Sequence, residues 1–156
     1  TYTRYAYPYL RLAELYLSYA EADFEYNGSL SGKSLEYINR VRRRCGLPDF
    51  EDSWALAGGI PSGQKLRKVL HQERSIEFLM EGRRFHDIRR WKIAEECLRP
   101  IPKAWNIEGD TPEKFYKLVD MKENDTRIFT TPKHYWLAIP NSQLNINGQL
   151  VQNPGY

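Results

Sequence analysis

The sequence has little of what usually announces a chemistry. Only two of its 156 residues are cysteines, Cys45 and Cys97, and their separation fits no CxxC redox or metal motif. They read as two independent thiols, buried or half-buried as cysteine commonly is. A disulfide between them is chemically allowed if the protein is exported. Histidine is scarce. His71 and His86 fall on different predicted helices, so with Asp87 they make no zinc-type set. There is no glycine-rich phosphate loop and no GxSxG elbow, and the residues imply no cofactor. No run is apolar enough or long enough to span a bilayer. No signal peptide opens the chain, and its start, Thr1-Tyr2-Thr3-Arg4, reads like the middle of a longer sequence, so a processed or truncated product is expected. An excess of charge is missing too. The 23 basic and 20 acidic residues leave +3, and the basic ones sit beside acids rather than in a clean patch, which argues against nucleic acid as a partner.

What is present is an ordinary globular composition of about one domain, 41% hydrophobic and 28% charged. Aromatics reach 13%, with 11 Tyr and 4 Trp, residues that either fill a core or offer flat faces to a ligand. Helical spacing dominates. A first helix is expected from about Pro8 to Asn27-Gly28, with one stripe of Leu10, Ala13, Leu17, Ala20 and Phe24 and a second of Tyr9, Leu12, Tyr16 and Tyr19. Ser31 or Ser34 caps a second helix carrying Leu35, Ile38 and Val41, which Gly46 and Pro48 stop. Residues 49–64 read as loop. A third helix is expected over Lys65–Glu81, with Leu66, Val69, Leu70, Ile76 and Met80 inward. A fourth is expected over Arg83–Leu98, with Phe85, Ile88, Trp91 and Ala94. The expected fold is therefore mainly α. It consists of two antiparallel helix pairs, about 8–46 and 65–98, of the tetratricopeptide-like αα-hairpin kind within a single domain. A loop-rich region, 99–156, follows, with a short extended segment at His134–Ile139 and a turn at Asn147-Gly148.

The charges of the third and fourth helices are unusual. Position 73 falls on the inward side, yet it is Glu73, and Glu77 and Glu81 follow at intervals of four. Like charges at that spacing repel unless compensated. Arg74, Arg83, Arg84, Asp87, Arg89 and Arg90 lie nearby. Two readings stand: a half-buried ion network in which guanidinium forks grip carboxylates, or a solvated charged face. Catalysis is disfavoured, because a glycosidase needs two carboxyl groups across a cleft and successive turns of one helix point the same way.

The strings Glu73-Arg74-Ser75-Ile76-Glu77-Phe78, Glu81-Gly82-Arg83-Arg84-Phe85 and Asp87-Ile88-Arg89-Arg90-Trp91 resemble the core signature of the SusD/RagB family. Leu10-Arg11-Leu12-Ala13-Glu14 with Tyr19-Ala20-Glu21-Ala22 is similar to the family's preceding helix. Ile38-Asn39-Arg40-Val41-Arg42 with Arg44, Gly46 and Leu47 is similar to the next. Gln152-Asn153-Pro154-Gly155-Tyr156 is similar to its terminus. Four segments in one order are specific where any single one is weak. Cys45 stands where alanine is expected and Ala138 where a second proline is common, and the family's lipidated N-terminus and first half have no counterpart in this chain.

The resemblance implies a surface lipoprotein of the bacterial outer membrane, tethered by an N-terminal lipid anchor that is absent from this sequence. It implies capture of an oligosaccharide as the lid of a TonB-dependent transporter, and no enzymatic activity. The alternative is a helical module that docks to the transporter without touching the ligand. The matched motifs resemble the family's framework rather than its ligand site. Glu73, Arg74, Glu77, Glu81, Arg83, Arg84, Asp87 and Arg90 are therefore expected as a structural ion network. The loop aromatics Trp54, Trp105 and Tyr116 are the candidates for sugar contact, each with packing as the competing role. Trp91 and Trp136 sit in apolar patterns and read as core.

Overall fold

A computed structural model describes residues 9–98, 101–121 and 128–156. It is mainly α, and it divides into two compact units, Thr1–Arg83 and Arg84–Tyr156.

The first unit contains α1 (Leu12–Asn27), α2 (Gly32–Arg44), α3 (Phe50–Ala55) and α4 (Gly63–Glu77). α1 starts later than the sequence pattern suggests. Pro8 lies outside the described residues, Tyr9 and Leu10 are exposed, and Arg11 is the extended N-cap. Leu17, Ala20 and Phe24 of the first stripe are buried. Of the second stripe, Leu12 is exposed, while Tyr16 and Tyr19 meet Tyr37 of α2. Tyr16 stacks on it with centroids 4.6 Å apart, and Tyr19 meets it edge-on at 5.2 Å. Gly28 ends α1 at φ 73°, its N–H donating to the Phe24 carbonyl at 2.8 Å. Only glycine adopts that left-handed conformation without a steric cost.

Asp23 locks the turn into α2. Its carboxylate accepts from the Asn27 amide at 2.7 Å, from the Ser31 N–H at 2.8 Å and from the Ser34 hydroxyl. Ser31 is the cap, its hydroxyl accepting from the Ser34 N–H. At the far end Gly46 N–H donates to Arg43 O and Leu47 N–H to Arg42 O, the paired bonds of a Schellman stop.

The stretch expected to be loop holds α3. Phe50 is fully buried there, because the buried Asn39 of α2 accepts from its N–H at 2.7 Å and donates to Glu51 at 2.8 Å. α4 is shorter than expected. Its inward line is Leu66, Leu70, Arg74 and then Phe78, spaced by four, and not the line through Ile76 and Met80. Ile76 is exposed, and Met80, at φ 66° in the turn after the helix, is 95% exposed. The core joins Leu17, Phe24, Ile38, Val41, Phe50, Leu66, Leu70 and Phe78.

After Arg83, which closes the first unit as the first residue of α5 (Arg83–Arg90), the second unit holds the rest of α5 and α6 (Ala94–Leu98), where one continuous helix was expected. Lys92 takes a positive φ of 56° between them, and Ile93 N–H bonds back to Ile88 O. The break lets Ile88 and Ala94 both bury against Phe129, with Ile93, Cys97, Leu98 and Tyr135 around them. Phe85 remains exposed, and Trp91 is half-buried. β1 (Lys103–Trp105) and β2 (Leu118–Asp120) pair antiparallel, with α7 (Pro112–Phe115) in the connection. The 134–139 run is not all extended, because a 3-10 turn covers Lys133–Tyr135. Trp136, expected in the core, is exposed. α8 (Asn141–Ile146) follows.

The terminus brackets this run. Gln152 accepts from Ile139 N–H and donates to Ile139 O, both at 2.9 Å, and Asn153 donates to Leu137 O at 2.7 Å. Gly155 sits at φ 92° with its open side against Lys133, where an added Cβ would meet Lys133 Cβ at 2.9 Å.

The Asp23 bonds make stability depend on pH. The Ser34 hydroxyl, then the Ser31 N–H, hold its carboxyl well below the ordinary 3.8. A lowered folded-state value stabilises the fold above the unfolded value, and that contribution is lost as pH falls through the folded one. The stability gap between wild type and Asp23→Asn, read by urea denaturation, should therefore be full near about pH 6 and shrink from about pH 4 downward. A gap of constant size over that range would show that the carboxylate charge is immaterial.

Candidate functional site

The eight residues of the expected ion network divide between the two units. In the first unit the acids of α4 are gripped by arginines from other elements. Glu73 pairs with Arg42 of α2, whose Nε also donates to Pro48 O at 2.9 Å and whose Nη2 donates to Ser53 at 2.7 Å. Glu77, with a side chain 7% exposed, is held by Arg11 at 2.8 Å and by Arg44 at 2.8 Å. Arg11 also makes a two-pronged contact with Glu81 at 3.0 and 2.7 Å. That contact, ahead of Glu77, raises the Arg11 pKa above its ordinary value. Arg74 is buried under Glu14 and Ser18, and Arg83 reaches Glu14 at 3.0 Å. In the second unit Asp87 is buried and pairs with Arg90 at 3.1 Å, while Arg84 lies 3.5 Å from the Cys97 sulfur.

Arg11, Arg42, Arg44 and Glu14 were not identified from sequence as members. The run Arg42-Arg43-Arg44 at the end of α2 was the available signal. Burial dominates at Glu73, pushing its carboxyl upward against the opposing pull of Arg42. These carboxylates are joined to cations rather than set across a cleft, so they offer no acid–base pair.

Trp54 lies in the first unit, half-buried, tilted against Phe50 at 6.4 Å with the Lys65 ammonium over its ring. Trp105 and Tyr116 are brought together in the second. Their ring centroids are 5.6 Å apart at 87°, and Phe115 meets Tyr116 at a similar right angle. Trp105 is 49% and Tyr116 64% exposed, so a corner of two flat faces opens to solvent. Backbone bonds order this hairpin. Asn106 N–H is shared between Phe115 O and Lys117 O, both at 3.1 Å, and Met121 N–H donates to Pro102 O at 2.9 Å. Asn106 Oδ1 accepts from Glu108 N–H, and the Thr111 hydroxyl caps α7 through Lys114 N–H. Gly109 passes so close to the helix that an added Cβ would sit 2.5 Å from Phe115 N.

A concavity of roughly 280 Å³ in the first unit is lined by Gly28, Leu30, Ile60, Pro61 and Leu66, and no charged or aromatic side chain lines it. Among the described residues no group of three His, Cys, Asp or Glu side chains is placed to hold a metal. Cys45 and Cys97 are free thiols.

Comparison with known proteins places the chain in a family. The model of the SusD family matches residues 1–156. A SusD-like protein of Bacteroides ovatus is 36% identical over 164 residues, covering 93% of this chain and 27% of that protein. The SusD-like protein P25 of Formosa agariphila is 31% identical over 151 residues, covering 94% and 24%. Among solved structures, the one described as BT4246 superposes with a TM-score of 0.77 at 27% identity, over 95% of this chain and 23% of that one. A SusD-like carbohydrate-binding protein from Bacteroides fragilis gives 0.66 at 31% identity, over 90% and 28%. The chain thus spans about a quarter of the length of the relatives it matches.

Two outcomes test this geometry. Arg42→Ala should cost about 3 kcal/mol or more, because it strands a half-buried carboxylate. Glu73→Gln should cost only about 1–2 kcal/mol, since burial already disfavours its charge. Denaturant unfolding that ranks the two the other way would show that the acid, not the guanidinium, is the member the fold cannot lose. Gly109→Ala should disorder the aromatic corner at a cost of about 1–3 kcal/mol. NMR should then show loss of the Trp105–Tyr116 ring-current shifts while helical circular dichroism stays unchanged.

Proposed function

The chain belongs to the SusD family, and from that premise we propose that it is part of a glycan-capture protein of the bacterial outer membrane. The observation that carries the reading is the solvent-facing Trp105–Tyr116 corner. The apolar face of a pyranose ring stacks on such a surface while its hydroxyls bond polar neighbours. Capture rather than cleavage fits the carboxylates near it. Asp110 is joined to Lys114 at 2.7 Å, and Asp120 faces Lys103 at 3.8 Å across the strands. A relative described as carbohydrate-binding supports the same substrate class. The family resemblance supplies the rest of the proposal: a lipid anchor, a surface location and a TonB-dependent transporter that receives the sugar. No helix among the described residues is long and apolar enough to cross a membrane.

A second role, docking to that transporter, is favoured by the apolar tip of the first unit. Ile76, Leu79 and Met80 are all exposed there, and Met80 is held at a positive φ.

Calorimetric titration of the full chain with an oligosaccharide panel tests the main reading. Trp105→Ala and Tyr116→Ala should each weaken binding by about tenfold, a loss of ~1.4 kcal/mol, in line with an aromatic contact. Trp54→Phe should leave it unchanged. Binding insensitive to both corner variants would remove the hairpin from the ligand site.

A further inference from the structure

His134 and Thr130 of the second unit are tied to each other twice. The His134 N–H donates to Thr130 O at 2.9 Å, and the Thr130 N–H donates to His134 Nδ1 at 2.9 Å. The two bonds close a loop over residues 130–134. The loop runs on into the 3-10 turn, where Tyr135 N–H donates to Pro132 O at 3.1 Å and Trp136 N–H to Lys133 O at 3.2 Å. Its closure sets Phe129 in place. The Phe129 ring meets His134 edge-on at 5.6 Å and Tyr135 edge-on at 4.9 Å. Phe129 is buried with Ile88 of α5 and Ala94 of α6, so the loop that holds this ring also joins the two helices.

The second bond fixes the state of the imidazole. A ring nitrogen accepts a hydrogen bond only through a free lone pair, so Nδ1 carries no proton and the ring proton is on Nε2. A further proton has one place to go, the Nδ1 lone pair that the Thr130 N–H already uses. Proton and amide therefore compete for a single acceptor. Imidazole is the side chain whose ordinary titration lies between about pH 5 and 8. The charges bordering the loop are committed elsewhere. Arg89 of α5 donates from Nε to His134 O at 3.1 Å, with its guanidinium 5.9 Å from the Phe129 ring centroid. Lys133 turns its ammonium to the Tyr156 ring at 4.9 Å. Glu95 of α6 accepts from the Thr131 hydroxyl at 2.7 Å.

We propose that His134 is an acid-released latch within the second unit. With the imidazole neutral, the Thr130 N–H is held and the loop is closed. With the imidazole protonated, Nδ1 becomes a donor and two N–H groups oppose each other. The loop then opens, and Phe129 loosens from Ile88 and Ala94. The open form is the one that takes up the proton, so the closed form gains as pH rises and is lost as pH falls. The Asp23 turn of the first unit responds in a different range, since its bonds last until acid reaches the carboxylate below about pH 4. The latch needs no bound sugar and stands apart from the glycan reading.

Imidazole nitrogen NMR of the labelled full chain reports the proton on each His134 nitrogen, and amide exchange reports the Thr130 bond. At neutral pH Nδ1 should be bare and Nε2 protonated. As pH falls from about 8 to about 5, the Thr130 protection factor should drop by about tenfold, the scale of one hydrogen bond lost. Its midpoint should coincide with proton uptake at Nδ1. The Phe129 ring signals should shift at that midpoint, whereas the Gly28 amide of the first unit should keep its protection. His134→Asn offers a side-chain oxygen as a permanent acceptor and should keep the Thr130 amide protected across the range. His134→Ala should leave it unprotected throughout. A proton found on Nδ1 at neutral pH overturns the latch, and so does Thr130 protection indifferent to the charge of His134. A step in Thr130 protection that persists in His134→Asn assigns the response to another group and overturns it as well.

Discussion

The first unit depends on one constraint: the carboxylates at the end of α4 are withdrawn from water and must be met by guanidinium groups. Isolated burial of such a charge is costly, and the attraction of a partner offsets it only when geometry and extra hydrogen bonds are good. Each arginine supplies those extras. Arg42 holds Glu73 while it donates to Pro48 O and Ser53. Arg11 spans Glu77 and Glu81, and Arg44 closes on Glu77 from the end of α2. These arginines come from the start of α1 and the end of α2, so one set of contacts fixes three helices at once. A solvated pair contributes little to stability, but it cannot fix register in this way either.

The same constraint explains which parts of the fold are legible in the sequence. Helices α1 and α2 have periodic apolar stripes and conventional stops at Gly28 and Gly46, so local chemistry announces them. α4 misleads because its inward line passes through a charged residue. Arg74 takes a core place between Leu70 and Phe78, and a reading by hydrophobicity then prefers Ile76 and Met80, which end up in solvent. α3 is invisible for a related reason. Phe50 is buried by a hydrogen bond from its own N–H to the side chain of Asn39, a contact between residues eleven apart that no helical or strand period encodes. The break at Lys92 is a tertiary effect too, since it lets Ile88 and Ala94 share Phe129.

The hairpin of the second unit is ordered by other means. Few of its side chains are buried. It holds its shape through the shared Asn106 N–H, the Thr111 cap and the close passage of Gly109. In the sequence these are ordinary polar residues in a stretch without period, so nothing marks them as a platform. Trp105 and Tyr116 stand out as loop aromatics, but their meeting at a right angle follows from a strand pairing that only the structure reveals.

The two modes of construction assign their residues different freedoms. In the first unit a carboxylate such as Glu77 has two cationic partners on different helices, so exchanging it for another residue disturbs several elements together. In the hairpin the backbone carries the order, and Trp105, Tyr116, Lys103 and Asp120 project from it with little packing to lose. Chemistry on such a surface can be changed without changing the fold beneath it. The charged run from Glu73 to Trp91 therefore identifies the framework and is silent about the ligand. The residues proposed for sugar contact are among those that contribute least to holding the chain together.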